Sequence, residues 1–224
     1  MPADQTSRSA FFFYYACILL LVVTGGFGFH ALIKPANLPP VSQTLIFHAI
    51  FTYSWYVLFT VQTGLIRTKR PALHMRLGKM SVALALGVVI TGILISIAHY
   101  LRKPEGLVFM GGLVNMANFS LLYGSAVFMR NRSDWHKRLM LFAGIAMMAP
   151  VLARVVRAAD LNEFAALPMW LLLIFVPAIY DLTSSKKVHK ATLLGIALII
   201  GGIVIMITIG MSSAWTTFLK STLG

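Results

Sequence analysis

The apolar positions of the chain fall into seven long runs separated by short polar connections. A helix rising 1.5 Å per residue needs about 20 apolar residues to cross a hydrocarbon layer of about 30 Å, and the runs approach this length. They lack the period-two alternation of barrel strands, so they predict helices. The prediction is an all-α, seven-transmembrane-helix bundle in one integral membrane domain over residues 1–224. We place the helices at 11–33, 44–66, 77–101, 107–129, 139–159, 168–182 and 191–213.

The composition agrees with a protein embedded in a lipid bilayer. Hydrophobic residues make up 58% of the chain and charged residues 11%, with a mean hydropathy of +0.83. An ordinary soluble domain carries about 25% charged residues, so this chain does not resemble one. The single cysteine, Cys17, excludes an intramolecular disulfide and a CxxC metal site.

The cations are distributed unevenly between the two ends of the predicted bundle. Of the 19 Lys and Arg residues, 13 lie near the N-terminus and in the second, fourth and sixth connections. The positive-inside rule then predicts a bacterial-type cytoplasmic (inner) membrane, with the N-terminus in the cytoplasm and the C-terminus outside. Such a basic face also predicts contact with anionic lipid at the cytoplasmic surface. The division of the charge among short loops argues against nucleic-acid binding.

Three helix entries look alike and indicate an internal repeat. They are LHMRLG at 73–78, WHKRLM at 135–140 and VHKATL at 188–193. Each follows a basic connection, so the pattern predicts one leading helix followed by three repeated helical hairpins. The histidines of these entries are explained most simply as anchors to lipid phosphate at the interface.

The motif at 74–78, His-x-Arg-Leu-Gly, and its looser copy at 136–139 resemble the helix entries of uncharacterised small bacterial polytopic membrane proteins. This resemblance covers about residues 44–157 and implies a fold and a location. A more distant likeness is to cytochrome b561-type proteins, helical bundles in which paired histidines hold haem b. That likeness implies a haem- or metal-binding electron-transfer module. Ligating histidines of that family lie inside the helices, whereas His74, His136 and His189 lie at helix starts.

The six histidines form two groups of three at different depths. Haem ligation requires two imidazoles that face each other at a similar depth. The outer group is the preferred cofactor-binding set, with His48 and His99 as the first pair to test and His30 as a third candidate. Arg154 joins this set, because its planar fork suits a haem propionate, a quinone carbonyl or an anionic lipid. His74, His136 and His189 form the weaker inner set, and no other metal site is assigned.

Other polar residues have structural explanations. Arg154 and Arg157 share a face of the fifth predicted helix, and Asp160 is the expected local partner of Arg157. Pro150 and Pro177 predict kinks that open a cavity near His48 and the amides of the fourth predicted helix. None of the six acidic residues is expected in mid-span, and Asp181 is assigned to the cytoplasmic side.

Three functions remain open from the sequence. The first is the b561-like electron-transfer module with haem b. The second is a non-catalytic accessory or assembly subunit that binds a membrane-protein partner or forms a homo-oligomer, and the third is a small-solute or lipid transporter. No hydrolase, Walker or zinc motif is present, so no enzymatic reaction is assigned.

Overall fold

The structure, a computed structural model, describes residues 3–38 and 41–223, and within these ranges it is all-helical without strands. Two short 3-10 turns, at Pro35–Asn37 and Glu163–Ala165, join longer helices. The α-helices are α1 (Ala3–Ile33), α2 (Gln43–Arg67), α3 (Pro71–Gly78), α4 (Met80–Arg102), α5 (Gly106–Phe128), α6 (Ser133–Ala146), α7 (Ala149–Ala158), α8 (Ala166–Ser185), α9 (Lys190–Gly210) and α10 (Ser213–Leu223).

Six of the described helical stretches are long and apolar enough to cross a membrane. These stretches are Ala10–Ile33, Gln43–Arg67, Pro71–Arg102, Gly106–Phe128, Glu163–Ser185 and Lys190–Gly210. The pair α6 and α7, which is bent by 41°, provides a seventh when it is counted as one span. The chain is therefore a multi-pass membrane protein, and the predicted helical bundle is confirmed.

The bent pair α6–α7 runs from one end of the bundle to the other. At its start, the ring of His136 packs against the ring of His74, which precedes α4. At its end, Asp160 bonds to Lys34, which follows α1. Because α2 carries the chain back from the Lys34 end to the His74 end, these contacts lie at opposite ends. The pair is thus a broken span, which gives the seven spans that the pattern predicts.

The break between α6 and α7 has a chemical cause in Pro150, which lacks the backbone N–H that a continuous helix would need. Two carbonyls next to the break accept side-chain hydrogen bonds. The Tyr56 hydroxyl donates to the Gly144 carbonyl oxygen at 2.7 Å, and the Trp170 indole Nε1 donates to that of Ile145 at 2.8 Å. The kink predicted at Pro150 is therefore confirmed, whereas α8 continues as a helix through Pro177.

Helix α6 lies at the centre of the bundle. It packs against α1, α5, α8 and α9, and Leu139 and all residues from 141 to 148 are buried. A helix that is apolar on every side is expected in such a central position. Polar groups at either end of α6 are consequently held between several helices.

Glycines allow α9 to approach its neighbours closely. Gly195 faces the ring of Phe142 on α6, and Gly202 faces the amide of Asn118 on α5. A Cβ atom at either position would overlap these side chains. Small residues commonly permit such close packing between membrane helices. As a result α9 packs mainly on α5 and α6, while α8 packs on α6, α7 and, through Tyr15, on α1.

Several helices depart from the predicted boundaries. The first begins at Ala3 and not at 11, and the fifth predicted helix begins at Ser133 and not at 139. The third predicted helix began at residue 77, but α3 begins at Pro71, a residue favoured at the first helical position, and ends before α4. The last predicted helix ended at 213, where α10 begins. The Ser212 hydroxyl oxygen accepts a hydrogen bond from the Trp215 backbone N–H at 3.2 Å, which caps this additional helix.

Candidate functional sites

The polar side chains of the bundle collect at two ends, which we define by their connections. The basic end contains the connections at 68–70, 129–132 and 186–189, and the opposite end contains those at 34–42, 103–105 and 159–165. His74, His136 and His189 lie towards the basic end, and His30, His48 and His99 lie in the opposite half.

At the basic end the structure brings His74 of α3 and His136 of α6 together. Their ring centres are 6.2 Å apart, and the ring planes are inclined by 88°. Nδ1 of His136 lies 2.8 Å from the backbone carbonyl oxygen of Ala126. Because a carbonyl can only accept, Nδ1 carries the hydrogen, and the lone pair of Nε2 is left for another partner. Metal-binding histidines are commonly fixed in this way.

The backbone of Gln62, in the last turns of α2, lies beside the His74 ring. Its side chain is 8% exposed, and its Oε1 is buried with no hydrogen-bond partner among the described residues. Nδ1 of His74 is likewise buried and lacks a partner in the described part of the chain. Unpaired polar atoms are costly in a helical membrane bundle. The His74–His136 pair and Gln62 thus form a polar cluster, and we call it the inner cluster.

A second polar group at the basic end joins α6, α8 and α9. Arg138 and Asp181 are 8% and 1% exposed, and the guanidinium Nε donates to Asp181 Oδ1 at 3.1 Å. The Thr192 hydroxyl and the His189 backbone N–H donate to the other carboxylate oxygen, the latter at 3.1 Å. Asp181 therefore lies in the last turns of α8, at the basic end to which the sequence assigned it, but as the centre of a buried network and not as an exposed residue.

His189 belongs to this network and not to the inner cluster. Its Nδ1 accepts a hydrogen bond from the Ala191 backbone N–H at 3.1 Å and so caps the start of α9. Its Nε2 lies 2.9 Å from Asp134 Oδ2. With both ring nitrogens engaged, His189 serves to hold α9 against the start of α6.

In the opposite half, His48 and His99 occupy different levels. His48 Nδ1 lies 2.9 Å from the Thr91 hydroxyl oxygen, whereas His99 Nε2 lies 3.4 Å from Glu105 Oε2. Thr91 and His99 are eight residues apart on α4, which corresponds to about 12 Å along the helix axis. The fold thus does not place these two imidazoles face to face.

The Thr91 hydroxyl hydrogen is directed to the Gly87 carbonyl, so His48 Nδ1 must be the donor to Thr91. His48 Nε2 is left as an acceptor, 3.4 Å from the Thr52 hydroxyl oxygen. This side chain faces a cavity of about 60 Å³ beside the helix break. The lining residues are Val23, Phe27, His48, Thr52, Tyr56, Asn115, Met116, Met147, Pro150 and Val151.

Arg154 contacts two residues that line this cavity, Pro150 and Phe27. Its Nη1 donates to the Pro150 carbonyl oxygen at 3.0 Å, and its guanidinium carbon is 4.7 Å from the centre of the Phe27 ring. Asp160, the expected partner of Arg157, binds Lys34 instead, at 2.8 and 2.9 Å. That expectation was wrong because Lys34, which follows α1, donates to both carboxylate oxygens of Asp160.

Within residues 3–38 and 41–223, no group of three or more His, Cys, Asp or Glu side chains could hold a metal ion. Comparisons with protein-family models, with curated proteins and with solved structures found no match.

Proposed function

We propose that this multi-pass membrane protein is an electron-transfer module that holds haem b between His74 and His136. The observation that carries the proposal is the separation of 6.2 Å between the two ring centres. Because an imidazole nitrogen binds a metal at about 2.0 Å, two imidazoles at this separation could both bind one metal ion. The pair therefore supports ligation of one iron by residues from two helices.

The protonation state of His136 also supports the proposal. Its Nδ1–H is bound to Ala126, so the lone pair of Nε2 is the group presented to a metal. His74 belongs to α3, which Pro71 begins and which leads into α4 through Lys79 in helical conformation, so the two histidines lie on different spans. When bound, haem would supply a one-electron iron couple to this chain.

The charge of the basic end suits an anionic cofactor better than a bare dication. Exposed cations flank the two histidines in the sequence, namely Arg76, Lys79, Arg130 and Arg132. These cations would attract carboxylate groups such as the propionates of haem, and they would repel an uncompensated metal ion. Haem is therefore the group that we propose for this pair.

The test is the absorbance spectrum of the full chain, purified in detergent from a host that makes haem. A Soret band that disappears in both His74→Ala and His136→Ala, and persists in His99→Ala, is the expected result. His99 is a suitable control because it is a partly exposed histidine that pairs with Glu105 outside the inner cluster.

Two outcomes would contradict the proposal. A band that depends on His48 and His99, and not on His74, would return the cofactor to the opposite half. A colourless, metal-free wild-type preparation would exclude haem, and would leave the accessory-subunit and transporter functions. Each variant is checked by gel filtration so that loss of the band is separated from loss of the fold.

A further inference from the structure

The side chain of Arg154 lies next to the cavity beside the helix break, where it contacts two of the lining residues. It is half-buried, and it folds back along α7 to the Pro150 carbonyl and over the Phe27 ring. Pro150 and Phe27 both line the cavity. The guanidinium is therefore held beside the cavity by a backbone bond and a cation–π contact, with other N–H groups left to donate.

No carboxylate compensates Arg154 within the described residues. Asp160 binds Lys34, and Glu105 is paired with His99. Arg157, one turn further along α7, adds a second positive charge, and its Nε bonds only to the Ala153 carbonyl oxygen at 3.1 Å. A half-buried cation in a membrane bundle normally pairs with an opposite charge, and this one does not do so inside the described chain.

His30 supplies a second, independent observation. It lies one turn beyond Phe27 on α1, the residue whose ring contacts the Arg154 guanidinium, and it is only 4% exposed. Its Nδ1 is buried and has no hydrogen-bond partner in the part of the chain that the structure describes. His48 and the buried amide of Asn115 line the same cavity.

We infer that Arg154 and His30 form an oxyanion-binding site beside this cavity. The guanidinium presents paired N–H donors to two oxygens of a phosphate or carboxylate, a geometry that a lysine does not reproduce. The unpartnered Nδ1 of His30 then bonds to a further oxygen. The cavity volume of about 60 Å³ accommodates a small anionic head group or a few waters, and not a cofactor.

The site uses no residue of the inner cluster, so its test is separate from that for haem. Inorganic phosphate is titrated into the detergent-solubilised full chain, and the thermal unfolding midpoint is followed by tryptophan fluorescence. The protein is also reconstituted in phosphatidylcholine nanodiscs with and without phosphatidylglycerol. A higher midpoint with free phosphate identifies a soluble anion, and a higher midpoint only with phosphatidylglycerol identifies a lipid head group.

The decisive variant is Arg154→Gln, with Arg102→Gln as its matched control. Arg102 is exposed at the same end, and its guanidinium also bonds only to the carbonyl four residues earlier. We expect Arg154→Gln to weaken oxyanion binding about tenfold or more, and Arg102→Gln to leave it unchanged. Arg154→Lys, which retains the charge but not the fork, is expected to bind with intermediate affinity.

The inference is overturned if neither anion raises the midpoint of the wild type. It is equally overturned if Arg154→Gln and Arg102→Gln respond to the anion as the wild type does. If Arg154→Gln does not fold, the comparison of His30→Gln with wild type decides, since this variant removes the second donor and must also weaken binding.

Discussion

Arg138 and Asp181 form a buried ion pair that joins the central helix α6 to α8 and, through Thr192, to α9. The carboxylate also accepts the His189 backbone N–H. Four donor groups thus converge on one carboxylate that is 1% exposed, since Arg138 donates through both Nε and Nη2. Such a network fixes the relative register of three helices, because each donor belongs to a defined position on its own helix.

We predict that Asp181→Asn destabilises the protein by about 3–5 kcal/mol, because it leaves the Arg138 guanidinium buried without its counter-charge. The measurement is the free energy of unfolding in detergent. Asp134→Asn is the matched control, since Asp134 is exposed and pairs only with His189, and it should cost about 1 kcal/mol or less. Equal losses in the free energy of unfolding for the two substitutions would show that the buried pair stabilises the protein no more than the exposed pair does.

The coarse fold was predictable because the hydrocarbon layer imposes it. Seven apolar runs of sufficient length require helices, and this requirement does not depend on which side chains meet. The end of α3 was not predictable in the same way, since this helix is short and lies at the polar boundary. The start of α10 was not predictable either, because only the capping residue Ser212 separates this helix from the preceding apolar run.

The candidate sites were harder to predict from the sequence than the fold was. Depth can be counted along a helix, so the histidines could be sorted into two groups. Which of them face each other depends on helix rotation and on the bend at Pro150, and neither is encoded in the count. His48 and His99 were paired by depth alone, whereas the contacts of Thr91 and Glu105 place them about two helical turns apart.

Asp181 illustrates the same limit. The residue ends an apolar run and precedes two lysines, so it was assigned to the polar side of the boundary. The signal that could have located it was the pairing of one acid in the sixth predicted helix with the cation in the repeated entry motif at Arg138. In a membrane helix, an ionisable residue is best assumed to have a partner.

The helix break yields a second prediction. Tyr56→Phe removes the hydroxyl that bonds to the Gly144 carbonyl oxygen beside the break, and it leaves that buried acceptor with less compensation. We expect a loss of about 1–2 kcal/mol in the free energy of unfolding. Tyr53→Phe on the same helix is the control, because Tyr53 is 46% exposed, and it should be neutral. A neutral Tyr56→Phe would mean that the break needs no side-chain support.

The close approach of α9 yields a third prediction. A Cβ at Gly195 would overlap the Phe142 ring in the centre of the bundle, so Gly195→Ala should cost about 1–3 kcal/mol through forced repacking. Gly201→Ala lies on the same helix and meets nothing within 4 Å, so it should be neutral or slightly stabilising. Thermal unfolding of both variants in one detergent makes the comparison. Indistinguishable midpoints would argue against tight packing of α9 on α6.

The direction of insertion yields the last prediction. Arg138 and the connections at 68–70, 129–132 and 186–189 are at one end of the bundle, and the positive-inside rule directs that end to the cytoplasm. Because α6–α7 crosses the whole bundle as one broken span, the chain after α9 must then emerge on the outer side. A reporter enzyme that is active only outside the cytoplasm should therefore be active when fused after Gly224 and inactive when inserted at Lys186. Activity at Lys186 alone would mean that the two sides are reversed or that α6–α7 does not cross, and activity at neither site would indicate that α9 does not cross.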